Sequence, residues 1–337
     1  MQQTALNPPK RYHAYQNILQ CYDTVIASYI SGSGLPYHWL FSEHWGFYYY
    51  DAERFYYRRH YSRYPLWDAL RKLYKVRKTM FTDIPLTALL DSPRFAQKKQ
   101  MFVIADEFDL PWTPEYQNIH HPHYFLLTDY DKAGHKVYVN DWWPVPYQDW
   151  LDLSMLEASF QEMGEHAFVL SEPSFHYSDA LLLEQMEVAY TQMTGWEDNG
   201  LSAGIYGIRR FQQDILRMGQ ETASFIDRWF YMVKLTIEAK YLFLEYVLFL
   251  KVERGCPIPD AFTQLLERTI NGWFSFRNTM MSAKIRKSLQ PDKLADRLGK
   301  VVELEQACAE QWGDIMQQTR LSVQESADHS ESGESIR

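Results

Sequence analysis

The hydrophobic rhythm of the chain changes near residue 178. Before it, residues 12–170 mix short helical stretches with runs of branched and aromatic residues. From 17 to 31, Tyr22, Val25, Ile26, Tyr29 and Ile30 recur at helical spacing, and SGSG at 31–34 closes the helix. The aromatic stretch WLFSEHWGFYYYDAERFYYRRHY reads as strand and loop. Residues 65–78 and 84–99 read as helices. MFVIADEF, HYFLLTDY and HKVYVNDW follow in order, each with the branched and aromatic content of a strand.

Beyond 178 the period is helical almost throughout, over 178–194, 203–252, 259–288 and 291–319, with Pro257, Pro259 and Pro291 as punctuation. The most apolar run, YLFLEYVLFLKV, is interrupted by Glu245 and Lys251 and is too short to span a bilayer, so it reads as a buried helix. The pattern predicts an α+β lobe followed by a mainly α-helical lobe. Its divisions are a flexible arm at 1–11, the α+β domain at 12–172, the helical domain at 178–319 and a polar, disordered tail at 320–337.

Composition sharpens this outline. A chain of 337 residues can bury two cores. A net charge of −9 argues against general nucleic-acid binding. The three cysteines, Cys21, Cys256 and Cys308, lie far apart and are odd in number, which suits a reducing cytoplasm. The opening MQQTALNPPKRYHAYQ has no apolar run, so no secretory leader is expected. Aromatic residues reach 16%, which suits clefts as well as cores.

The candidate chemistry starts in HHPHYFLLTDYDKAGHKVYVNDWWP, residues 120–144. Residues 123–128 and 136–141 read as a hairpin. A turn centred on Lys132 would set His123 opposite Asp141, close enough to hydrogen-bond. The carboxylate would then fix the imidazole tautomer and stabilise its cation. A slip of one residue would put the two on different faces. Cys21 stands at the mouth of the first predicted helix, where backbone N–H groups and a nearby imidazolium favour a thiolate. Cys21, His123 and Asp141 therefore read as nucleophile, base and orienting acid. An inert buried cysteine is the plain alternative. No metal is expected at His120 and His123, since zinc takes three or four ligands and no cysteine is near in sequence.

The sequence resembles the butirosin biosynthesis protein H family at YQNILQCYDTVIASYI, HWGFYY, FVIADEFDLPWTPEY and HPHYFLLTDYDKAGHKVYVNDWWP. The match is best over residues 101–144 and weaker in the helical half. That resemblance implies a papain-like cysteine-enzyme lobe. It implies acyl transfer from a carrier-protein phosphopantetheine thioester onto a small amine, in natural-product biosynthesis. Cys21, His123 and Asp141 would be catalytic. The family's oxyanion-hole glutamine position is Tyr15 here, so Gln16, one place later, or the Cys21 backbone N–H would serve the oxyanion hole. No tightly bound cofactor is implied, because the phosphopantetheine arrives on the carrier.

Water must be kept from such an intermediate, and Trp45, Trp142 and Trp143, with Trp39 and Phe47, are candidates to line a dry cleft; ordinary core is their other reading. Arg54, Arg58, Arg59, Arg63, Arg71, Lys72, Lys75, Arg77 and Lys78 crowd residues 54–78, opposed inside that span only by Asp68. Of these, Arg58, Arg59, Arg71, Lys72 and Lys75 are the candidate dock for an acidic carrier protein; a solvated helix face is the alternative. A cysteine peptidase or thioesterase, using the same three residues with water, is the competing enzyme reading. A non-catalytic scaffold in a biosynthetic complex is the third. Neither nucleic acid nor membrane is an expected partner, and oligomeric state stays open.

Overall fold

The computed structural model describes residues 11–12, 21–56, 65–164 and 166–332. In chain order the first elements are α1 (Cys21–Gly32), β1 (Tyr48–Asp51), β2 (Arg54–Tyr56), α2 (Pro65–Tyr74), β3 (Lys78–Phe81), α3 (Leu86–Leu90) and α4 (Pro93–Lys98). Then come β4 (Met101–Asp106), β5 (Pro122–Asp131), β6 (Lys136–Asp141), β7 (Tyr147–Asp152), α5 (Leu153–Glu162) and β8 (Ala167–Leu170). The rest is α6 (Asp179–Thr194), β9 (Glu197–Asp198), β10 (Leu201–Ala203), α7 (Gly204–Met218), α8 (Ile226–Glu253), α9 (Asp260–Arg286) and α10 (Pro291–Ser332). The chain is α+β, with two antiparallel sheets and a helical C-terminal half.

Two compact units divide it. Among the described residues, the first holds Arg11, 21–37, 66–164 and 166–176, and the second holds Tyr12, 38–56, Pro65 and 177–332. The division between 176 and 177 lies beside the change of pattern near 178. The expected linear order is incomplete, however, because residues 38–65 belong with the helical half.

The first unit is built on a six-stranded sheet in the order β3-β8-β4-β5-β6-β7. Alternation along the strands gives it two apolar faces. Val103, Phe125, Leu127, Val137 and Val139 join Leu86, Phe95, Leu153 and Phe160 in one buried core. Residues of opposite parity meet α1: Tyr124 packs edge-on to Tyr22 at 4.9 Å, and Phe102 to Tyr29 at 5.5 Å. Every residue of α1 from Tyr22 to Ile30 is buried, so this helix hides all its sides rather than a single stripe.

The helix expected over 65–78 stops at Tyr74, because Lys75 takes a left-handed φ of 56° and the chain turns into β3. That expected over 84–99 is broken in two, because Ser92 caps a new helix by accepting from the Phe95 N–H at 3.2 Å and Pro93 starts it.

In the second unit, a four-stranded sheet in the order β2-β1-β10-β9 accompanies α6–α10. The apolar run predicted to be a buried helix lies in α8, where Ala239 to Val247 are buried without interruption. No described helix is long and apolar enough to cross a membrane. Gly195 and Gly204 meet where α6 ends, and a Cβ on Gly195 would fall 2.1 Å from the Ala203 carbonyl oxygen. The tail expected to be disordered from 320 is helical to Ser332. No proline follows Pro291 and no glycine stands between Gly313 and Gly333, so nothing in the sequence stops α10 earlier.

Candidate functional site

The β5–β6 hairpin forms, but in a register three residues from the expected one near the turn and two beyond it. Near the turn, Asp131 pairs with Lys136, Tyr130 with Val137 and Asp129 with Tyr138. A bulge at Thr128 then shifts the ladder by one, so that Leu127 pairs with Val139 and Leu126 with Asn140. Continued, this register sets Phe125 across from Asp141 and makes His123 its diagonal neighbour. The bulge is what puts them together. Without it the offset near the turn would send His123 and Asp141 to opposite faces.

On the other side, β4 pairs Ala105 with His123, and the small alanine leaves room for the ring. The imidazole bridges the diagonal: its Nε2 lies 2.5 Å from Asp141 Oδ2. Both groups are buried, at 0% and 1% exposed. The same Oδ2 accepts the Trp112 indole N–H at 2.7 Å, and Oδ1 accepts the Trp143 backbone N–H at 3.0 Å. Trp112 is itself fixed by stacking on Tyr147 at 4.3 Å. Asp141 is thus held at both oxygens before it holds His123.

Burial of the ring works most strongly against its charge. Contacts with Asp141, Cys21 and Glu107, with the Asp141 charge, outweigh it and set the His123 pKa well above that of an ordinary histidine. Cys21 is thus one of the groups that favour the His123 cation. It is the half-exposed cysteine of the three. Burial pushes Cys256 up to about 11 and Cys308 up to about 12, which leaves those two thiols protonated and inert.

Glu107 escaped the sequence reading. It follows β4 in a 3-10 turn, is 2% exposed, and sets Oε1 3.2 Å from His123 Nδ1, off the line a hydrogen bond needs. An acid inside the apolar run MFVIADEF was its signal, obscured because that run reads as one continuous strand.

The remaining candidates separate. Gln16, Arg58 and Arg59 lie outside the described residues. Trp143 has its ring 5.5 Å from that of His123, and Trp142 follows Asp141 half-buried. Trp45 belongs to the second unit, where it is buried, its N–H donates to Glu305 and Lys240 sits over its ring. Trp39 and Phe47 are likewise buried in that unit.

Arg71, Lys72 and Lys75 are exposed on and just after α2, Arg71 reaching Asp68 at 3.2 Å and the Lys75 ammonium reaching the Lys72 carbonyl at 2.9 Å. Two other members of the basic run point elsewhere. Arg54 pairs with Asp51 at 2.6 Å, and Lys78 lies over the Trp67 and Phe168 rings, where burial lowers its pKa to about 8.

Asp106, His120 and Glu162 bring one possible ligand atom each to within 4.8 Å of one another. Asp106 is already engaged: Oδ2 meets His120 Nδ1 at 2.7 Å, and Oδ1 accepts from Phe108 N at 3.1 Å and His121 N at 3.0 Å. The grouping is explained as an ion pair and a turn cap. His120 and His123 thus turn to different carboxylates.

No family model matches the chain, and no curated protein matches it.

Proposed function

We propose that the first unit is a papain-like thiol enzyme, acting in the cytoplasm, that moves an acyl group from a carrier-protein phosphopantetheine thioester onto an amine, as in the butirosin biosynthesis protein H family that the sequence resembles. The observation that carries this reading is the buried His123 ring, fixed by Asp141 on one nitrogen, with the half-exposed Cys21 among the groups that raise its pKa. In support, the helix bearing Cys21 packs on β5, the strand bearing His123.

The Cys21 thiolate attacks the thioester carbon, and the pantetheine sulfur leaves. An amine then attacks the acyl-enzyme and releases an amide. Gln16 keeps its proposed place at the oxyanion hole.

Incubating the full chain with butyryl-pantetheine thioester should add one butyryl mass, mapped to the peptide holding Cys21. Cys21→Ala and His123→Ala should lose that adduct while keeping native circular dichroism. An adduct that persists in Cys21→Ala would end the reading. Reversing Arg71, Lys72 and Lys75 to glutamate should raise KM for an acidic acyl-carrier protein several-fold with little change in kcat, and the effect should shrink in high salt.

One observation favours the scaffold reading instead. A buried histidine between two carboxylates, Asp141 and Glu107, is also what a purely structural ion cluster looks like. Iodoacetamide separates the two: fast alkylation of Cys21 below pH 8, lost in His123→Ala, marks an enzyme, and the sluggish rate of an ordinary thiol marks a scaffold. Free acid in place of amide among the products would mark the thioesterase or peptidase.

A further inference from the structure

Glu107 touches the His123 ring and has no role in the scheme above. Its main chain is pinned, with N donating to the His121 carbonyl at 2.8 Å and O accepting from Leu110 N at 3.1 Å and Thr113 Oγ1 at 3.0 Å. The side chain is aimed inward, and Oε1 has no hydrogen-bond partner among the described residues. Its charge faces His123 Nδ1 at 3.2 Å, and His121 Nδ1 stands 3.9 Å from the same oxygen. Asp141 from β6 holds the other ring nitrogen, and Cys21 comes from α1. One ring therefore lies between two buried carboxylates, each of which favours its cation.

We propose that Glu107, acting with Asp141, keeps His123 protonated while an acyl group occupies Cys21, so that the acyl group passes to an amine rather than to water. This rests on the acyl-transfer reading and names what decides its outcome. Water is a weak nucleophile that needs a general base at neutral pH, and an imidazolium is not one. An unprotonated amine attacks without that help.

In the step, the amine nitrogen bonds to the thioester carbon and the carbon–sulfur bond breaks. The Cys21 sulfur leaves as a thiolate paired with the imidazolium, and the surplus proton on nitrogen passes to solvent. Thioester and amine become amide, thiolate and a proton, with nothing oxidised or reduced. Glu107 acts through His123, so it is a positioning residue.

Glu107→Gln keeps the shape and removes the charge. Full-length protein acylated from butyryl-pantetheine thioester would be given ethanolamine in water, and acid and amide weighed by mass spectrometry across pH. The midpoint for water-driven deacylation should fall by about 1 unit and the acid-to-amide ratio at neutral pH rise about tenfold, the shift expected on losing an adjacent buried charge. Glu107→Asp should restore much of the ratio. A merely structural role would lower stability and leave the midpoint in place.

The His123 midpoint, read by NMR of histidine-labelled protein without substrate, judges Glu107 independently: it falls in Glu107→Gln if the charge acts as proposed, and an unmoved midpoint with an unmoved ratio overturns the proposal. Should Glu107→Gln not fold, Glu107→Asp carries the same NMR readout with a smaller fall. If the wild type forms no adduct yet the NMR midpoint still falls, the acyl-transfer reading is overturned and the charge clamp stands.

Discussion

Asp141→Asn is expected to lower kcat for acyl transfer by about 10²–10⁴, the range that an acid–base partner contributes, while KM for the thioester changes little. The reason lies in the donors that converge on this side chain. Oδ2 receives both the His123 ring and the Trp112 N–H, and Oδ1 receives the Trp143 N–H. An amide offers one acceptor oxygen where the carboxylate offers two. If its NH₂ faces His123, the ring must accept at Nε2, the wrong tautomer for a cation, and the Trp112 indole is left unpaired. If the oxygen faces His123, the NH₂ opposes the Trp143 N–H. Either way a buried donor is orphaned and the imidazolium loses its counter-charge. Single-turnover acylation of Cys21 followed by mass spectrometry reads the loss. Wild-type acylation in Asp141→Asn would mean that the pair takes no part in the chemistry.

Glu305→Ala is expected to destabilise the second unit by about 3–5 kcal/mol, the cost of leaving one partner of a buried ion pair behind. Lys240, on α8, is wholly buried, with Nζ 2.7 Å from Glu305 Oε1, 2.9 Å from the Trp45 carbonyl and 3.9 Å from the centre of the Trp45 ring. Glu305, on α10, also accepts both indole N–H groups, Trp45 at Oε2 and Trp273 at Oε1. Removing the carboxylate strands an ammonium and two indoles at once. Urea unfolding should show a lower midpoint with an unchanged slope. Lys240→Met combined with Glu305→Gln keeps an acceptor for one of the two indoles and removes the stranded charge, so it should recover part of the loss.

The hairpin and the helical half were legible because both rest on local periodicity. The apolar run of α8 and the alternation of β5 and β6 identify themselves within a dozen residues. The pairing of His123 with Asp141 was legible as a pair but not as a register. The bulge at Thr128 depends on how Asn140 reaches across to the Thr128 hydroxyl and the Gln148 amide donates to Asn140, a polar chain over three strands that no single-strand pattern contains. Glu107 was hidden for a similar reason, since the end of β4 is set by the Asp106 cap rather than by a break in hydrophobicity. Trp45 looked like a cleft residue by its aromatic neighbours. Its true partners, Lys240 and Glu305, lie far along the chain.

That last pairing has a consequence for anyone who would take the molecule apart. β1 sits between β2 and β10, at Tyr48 against Tyr56 on one side and Ala203 on the other, so the helical unit is sewn from two separate stretches of polypeptide. A gene divided once near codon 177 would leave β10 with β9 alone and strip Lys240 of the Trp45 indole. Chimeras made on this scaffold must exchange both stretches together, with junctions at 37/38, 65/66 and 176/177.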